Sequence, residues 1–274
     1  MTVALTAVDD PGDPRLVDYV GLRDPELRMR YEGQAGVFIV EGALAVTRLL
    51  ESDYEPLSVL LSAAAAERLE PAFTAHGVTA PVYVAPKHVL EQVTGFAIHR
   101  GVVAAARRPP PTSPDEVLAA AAAAGAPVTV LERVNDHENL GALFRNAAAF
   151  GVGAVLLDPT CSDPLYRRAV RVSIGHVLHV PFARIAWPDG AATVRAAGYT
   201  VIALTPKSGA VPLATALERT DRPAFLLGAE GPGLSADALD AADIHAVIPM
   251  TGGVDSLNVA TAAALAFQAA FNRR

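Results

Sequence analysis

The sequence predicts an α/β protein of two domains, and three observations carry that prediction. Short apolar runs of about five residues alternate with helical stretches of about ten along most of the chain. Its 274 residues are enough for about two separate cores. The stretch RRPPPTSP at 107–114 interrupts the alternation, and its consecutive prolines read as a short, stiff linker. The domains are accordingly placed at 1–108 and 109–274.

Taken in order, a polar lead-in precedes helical segments over 14–31 that break near Pro25, where Arg15, Arg23, Arg28 and Arg30 suggest a basic face. From Gly36 the pattern runs strand GVFIVEG, helix ALAVTRLLES, strand LSVLLS, helix AAAAERLEPAFTAHG, strand PVYVAP, helix KHVLEQVTG and strand GVVAAARR. Past the prolines, Ser113 supplies an N-cap, Pro114 a first helical residue and Glu116 the acid of a capping box, and Gly125 closes an alanine-rich helix. Then come strand PVTVLER, loop VNDHEN, helix LGALFRNAAAFG, strand GAVLLD, helix PLYRRAVRVSIG and strand HVLHVPF. Helix GAATVRAAG, strand YTVIALT, a short helix near 213–217, strands at 225–227 and 246–248 and a final helix from Ser256 complete the chain.

Composition limits the function. A hydrophobic fraction of 51% with 19% charged residues fits a compact globular chain. No uninterrupted apolar run reaches bilayer length, and the N-terminus lacks the basic and apolar regions of a signal peptide. The lone Cys161 excludes an internal disulfide and suits a reduced, cytoplasmic setting. With 22 Lys and Arg against 29 Asp and Glu, the formal charge of −7 offers no global attraction for polyanions, so any nucleic acid must be met by local basic patches. There is no P-loop, no G-x-S-x-G elbow and no metal-ligand spacing. GVGAVLL follows a helix and enters a strand, the wrong order for a dinucleotide fingerprint, and His176 and His179 read as structural.

Glycines Gly228, Gly231, Gly233, Gly252 and Gly253 fall where apolar runs stop, so the backbone there can turn and approach a ligand. Three blocks surround them: NLGALFRNAAAFG at 139–151, LLGAEGPGL at 226–234 and IPMTGGVDSLNVATAAAL at 248–265. In order and spacing these resemble the three motifs of the SpoU (TrmH-like) branch of the SPOUT RNA methyltransferases. The IVEG entry and HRGVVA exit of the N-terminal region are similar to the L30e-like substrate-binding domain that often precedes that catalytic domain.

The resemblance implies a SPOUT α/β domain tied in a deep trefoil knot, with small residues such as Gly228, Ala229, Gly231, Gly252, Gly253 and Ala260 permitting close passage. It implies S-adenosylmethionine as cofactor, lined by Gly228, Ile248 and Leu257, with Thr205 as an addition, and no metal. Arg145 would fix the substrate phosphate and the ribose 2′-OH, since a guanidinium is a poor general base. Asn139 would pair its amide with neighbouring loop groups or the ribose, cap its helix, or do both; Glu230 braces Asn139 or Arg145; and Ser256 and Asn258 either cap the last helix or join the site. Ala260 stands where the family commonly has a small hydroxyl. Candidate RNA phosphate contacts are Arg167, Arg168 and Arg171 on the helix after the first motif, and Arg100, Arg107 and Arg108 at the exit of the first domain. The implied activity is ribose 2′-O-methylation of structured RNA, 23S-type rRNA before tRNA, by a homodimer whose final apolar helix serves the interface. A self-protective antibiotic-resistance enzyme is one special case. The alternatives are a non-catalytic RNA-binding protein that keeps the knotted fold, and a small-molecule α/β enzyme.

Overall fold

In the computed structural model, which describes residues 3–98, 101–251 and 256–273, the chain forms two compact units. The first comprises Met1–Pro110 with Leu165–Leu178, the second Pro111–Pro164 with His179–Arg274.

The first unit begins with β1 (Leu5–Ala7), a 3-10 helix (Pro14–Tyr19), α1 (Pro25–Ala35), β2 (Val37–Glu41), α2 (Ala43–Leu50) and β3 (Pro56–Leu61). It continues with α3 (Ala63–Ala75), β4 (Val82–Val84), α4 (Lys87–Thr94) and β5 (Val102–Arg107). Its five strands are ordered β1-β4-β3-β5-β2, with β5 antiparallel to both β2 and β3. Expected as polar lead-in, residues 5–7 instead pair in parallel with β4, a strand too short to announce itself by alternation. The basic face expected on α1 is also incomplete. Arg28 is 2% exposed and its guanidinium pairs with Glu32 at 3.1 Å, one turn on, because burial requires the charge to be neutralised.

The second unit adds α5 (Pro114–Ala123), β6 (Val128–Glu132), α6 (His137–Ala149) and β7 (Ala154–Leu157). The expected capping box is present: the Ser113 hydroxyl accepts from Asp115 N, and Glu116 accepts from Ser113 N at 3.3 Å. The chain then contributes α7 (Arg167–Val172) to the first unit and returns as β8 (Phe182–Arg184). Where HVLHVPF suggested a strand, His176–Leu178 is a 3-10 turn and pairing starts only at Phe182. Ile174 and Gly175 both take positive φ there, and Pro181 has no N–H for the ladder, so the run cannot stay extended and paired. There follow α8 (Ala191–Ala196), β9 (Thr200–Leu204), β10 (Val211–Pro212), α9 (Leu213–Leu217), β11 (Pro223–Gly228), α10 (Ala236–Asp240), β12 (Ile244–Val247) and α11 (Val259–Phe271).

These strands form one sheet ordered β10-β12-β9-β11-β6-β7-β8, parallel throughout. Parallel sheets are covered on both faces, which is why VTVL, AVLL and AFLL are buried throughout without alternation, the hydroxyl of Thr129 donating to Phe225 O. Leu118, Val130, Leu156, Val201 and Leu226 fill one face and are fully buried. On the other, Phe267 of α11 meets Phe225 at 5.8 Å. Because the strands run one way, the carboxyl ends of β9, β11 and β12 share one edge, where open parallel sheets bind ligands.

Candidate functional site

The site is built on the glycine turn at the end of β11. From Gly228 the chain doubles back through Ala229–Gly233, closed by Gly233 N donating to Ala229 O at 3.0 Å. Gly231 and Gly233 take φ of +84° and +67°, which glycine alone adopts without strain. Gly228 is needed for a different reason. A Cβ on it would lie 2.5 Å from the carbonyl carbon of Gly233 and 2.5 Å from the nitrogen of Leu234, so backbone is packed on backbone. Over this turn opens a cleft of about 460 Å³, a size suited to a small organic ligand. Thr205, Gly228, Ile248 and Leu257, the residues expected to hold a cofactor, all line it, as do Glu230, Ser256 and Asn258.

Asn258 joins these parts. Its Oδ1 accepts from Ala260 N (2.9 Å) and Thr261 N (3.2 Å), capping α11. Its Nδ2 donates to Asn139 Oδ1 (2.8 Å) and to Glu230 Oε1 (2.7 Å). Asn258 thus caps α11 and also lines the cleft. Glu230 is thus braced through Asn258, with Asn139 on the other hydrogen of the same amide. Asn139 does not cap α6; Asp136 does, accepting from Glu138 N and Asn139 N. Seven residues on and on the same face, Asn146 Nδ2 donates to Ala260 O at 2.9 Å, so position 260 contributes its backbone.

Arg145 lies on α6 but off that face, is exposed, and has no hydrogen bond or ion pair among the described residues. Arg167 is spent within the first unit: its guanidinium pairs with Glu41, donates to Leu22 O at 3.2 Å and lies 4.7 Å from the centre of the Phe96 ring. Arg171 stands 3.7 Å from the same carboxylate, while Arg168 is exposed. Arg107 is paired with Glu55 at 2.6 Å. Arg100, Gly252 and Gly253 lie outside the described residues.

With this geometry in place, comparison with known proteins gives a direct result. The model of the SpoU rRNA Methylase family matches residues 126–268, more than half the chain. This chain belongs to that family. Residues 39–112 match a second model, RNA 2′-O ribose methyltransferase substrate binding. A Mycobacterium tuberculosis protein described as an uncharacterized tRNA/rRNA methyltransferase is 48% identical over 95% of this chain and 89% of its own. A Bacillus subtilis 23S rRNA (guanosine-2′-O)-methyltransferase is 31% identical over 50% of this chain and 55% of its own. The AdoMet-bound rRNA methyltransferase from Sinorhizobium meliloti superposes with a TM-score of 0.81 at 25% identity, covering 98% of both chains. As a SpoU family member, the chain is an RNA methyltransferase with a mixed α/β fold and a parallel-sheet SPOUT domain.

Sequence reading missed several residues of this SpoU site. Lys207 and Pro206 line the cleft beside Thr205, whose Oγ1 accepts from Lys207 N at 3.2 Å. Their position after a strand end, T-P-K-S-G, was the available signal. Behind the glycine turn, Arg133 donates to Gly233 O at 3.2 Å and Glu132, the last residue of β6, accepts from Ser235 N at 2.9 Å, and no local pattern marked either residue. Cys161 is buried and takes no part: burial, with Asp158 nearby, pushes its thiol up to about 12, so it stays protonated. Among the described residues, no His, Cys, Asp or Glu cluster is arranged for a metal.

Proposed function

We propose that this RNA methyltransferase uses S-adenosylmethionine to methylate a ribose 2′-OH of structured RNA, 23S-type rRNA in preference to tRNA, and that it acts as a homodimer. Its setting is the cytoplasm, which the lone thiol suits. The observation that carries the reading is the cleft at the ends of β9, β11 and β12, with a floor of glycine backbone and the Asn139–Asn258–Glu230 chain of hydrogen bonds at its rim.

The residues present fit the cofactor. Leu204, Leu227 and Leu257 offer apolar surface to an adenine, and the floor where Gly228 packs on Gly233 is backbone alone, whose groups are there to meet polar edges. S-adenosylmethionine supplies, when bound, a methyl group already activated by its sulfonium. What remains for the protein is to align the hydroxyl in line and hold it there. The Nδ2 of Asn139 and the second oxygen of Glu230 have no partner among the described residues, leaving a donor and an acceptor for substrate. Arg145, exposed and uncommitted, suits a phosphate beside the target ribose and, being permanently charged, acts by positioning.

Leu265 and Phe271, 42% and 50% exposed on α11, support a homodimer, which would bring a second α11 beside the cleft. The close passage at Gly228 likewise supports the deep trefoil knot of SPOUT domains, as does the insertion of β11 between β6 and β9.

Incubation with methyl-labelled S-adenosylmethionine and separate rRNA and tRNA pools tests the reading. Label is expected in rRNA, at a nucleotide whose 3′ phosphodiester resists alkali as a 2′-O-methyl ribose requires. Label on a base would overturn the 2′-O assignment, and label confined to tRNA would overturn the rRNA preference. Bound cofactor with no transfer to either pool would favour the alternative, a non-catalytic RNA-binding protein. Arg145→Ala is expected to slow transfer by about 10²-fold or more, the scale of losing one transition-state contact, with cofactor affinity unchanged. An unaltered rate removes Arg145 from the site.

A further inference from the structure

We infer that Glu132 and Arg133 form a clamp, outside the cleft, that holds the Ala229–Gly233 turn in its cofactor-receiving shape, making Arg133 a positioning residue for cofactor binding. This rests on reading the cleft as the S-adenosylmethionine site.

Arg133 directly follows β6 and has φ of +57°, a left-handed conformation unfavourable to any residue with a side chain. Asp158 keeps it there, accepting its backbone N–H on Oδ2 at 2.9 Å. The guanidinium then donates to Gly233 O at 3.2 Å and stands 3.6 Å from Glu132 Oε2. Its buried Nε has no hydrogen-bond partner among the described residues, so two unfavourable features are tolerated to keep the group in place. Glu132, 5% exposed, accepts from Ser235 N (2.9 Å) and Ser235 Oγ (2.6 Å). Three hydrogen bonds from two adjacent residues therefore converge on 233–235, where the turn ends.

The turn's geometry leaves little slack at that point. Gly233 is packed directly on Gly228, so the position of its peptide sets the floor of the cleft. The tip of the turn carries Glu230, which reaches Asn258 and through it the cap of α11. Neither Glu132 nor Arg133 lines the cleft itself. Their action on a ligand has to pass through the turn, by ordering it before the ligand arrives.

Arg133→Gly separates the two contributions, because glycine accepts the left-handed backbone while removing the guanidinium. The expected result has three parts: a melting temperature equal to or above that of the parent, hydrogen exchange about tenfold faster at the amides of Gly231, Gly233 and Leu234, and a Kd for S-adenosylmethionine raised about tenfold by calorimetry. Arg133→Lys, retaining the charge with a single donor group, should fall between. A variant that binds the cofactor as tightly as the parent with unchanged exchange overturns the clamp. So does a melting temperature that drops while exchange rises across the whole sheet, since the residue would then be merely structural. If the parent itself does not bind S-adenosylmethionine, the reading of the cleft falls, and the clamp's assigned purpose with it.

Discussion

Gly228→Ala is expected to deform the cleft in which we propose that S-adenosylmethionine binds. The added methyl would stand 2.5 Å from two backbone atoms of the returning chain, and backbone cannot swing aside as a flexible side-chain end would. Overpacking of this kind costs about 1–3 kcal/mol, which corresponds to about 5- to 150-fold in an equilibrium constant. Because the displaced atoms form the cleft floor, the loss should be read as weaker S-adenosylmethionine binding by titration calorimetry. Gly231→Ala is the control. A Cβ there meets nothing within 4 Å, and only the strain of φ +84° remains, about 1 kcal/mol. Should Gly231→Ala prove the more damaging of the two, the close approach at Gly228 is not what shapes the site.

The second large effect is expected from Asn258→Asp. Aspartate keeps the oxygen that accepts from Ala260 N and Thr261 N, so α11 stays capped and the melting temperature should hardly move. It has no hydrogens for Asn139 or Glu230, and it sets a carboxylate oxygen where Nδ2 now lies, 2.7 Å from Glu230 Oε1. At neutral pH two charges repel where a hydrogen bond stood. Methyl transfer should fall about 10²-fold, the scale of losing one preorganised contact. The pH dependence has a definite sign. Carboxylates this close raise one another's proton affinity, so a shared proton is gained as pH falls and restores a donor between them. Partial recovery of rate on acidification, absent in Asn258→Ala, is the expected signature. Flat profiles for both variants would show that the donor role is unimportant.

What was legible in the sequence was local. The capping box at Ser113 uses residues within one helical turn, and β6, β7 and β11 are apolar runs bounded by turn residues, so each could be read without knowing its neighbours. HVLHVPF was misread because its apolar spacing resembles a strand, whereas the left-handed residues at 174 and 175 decide its course. The short β1 and β10 carry too few residues for a pattern. In the site, the cleft-lining Gly228, Ile248 and Leu257 were reachable because they stand at set positions of motifs that resemble a known family's. Partners were not: that Asn258 bridges Asn139 and Glu230 depends on side chains 119 and 28 residues apart meeting in space. Arg133 was invisible for a related reason, since nothing in an arginine announces a positive φ imposed by a distant aspartate.

The Leu165–Leu178 excursion bears on how this chain can be made and cut. The first unit lacks α7 until the chain is made through Leu178, well past the proline run where a boundary suggests itself. β2 is one of the two edge strands of its sheet, and α7 packs against it. A fragment ending at Pro110 would bare that margin and strip Glu41 of both arginines held against it, Arg167 and Arg171. Such a fragment presents an open strand to its own copies, an invitation to self-association during synthesis. The first unit is thus finished by residues borrowed from the middle of the second.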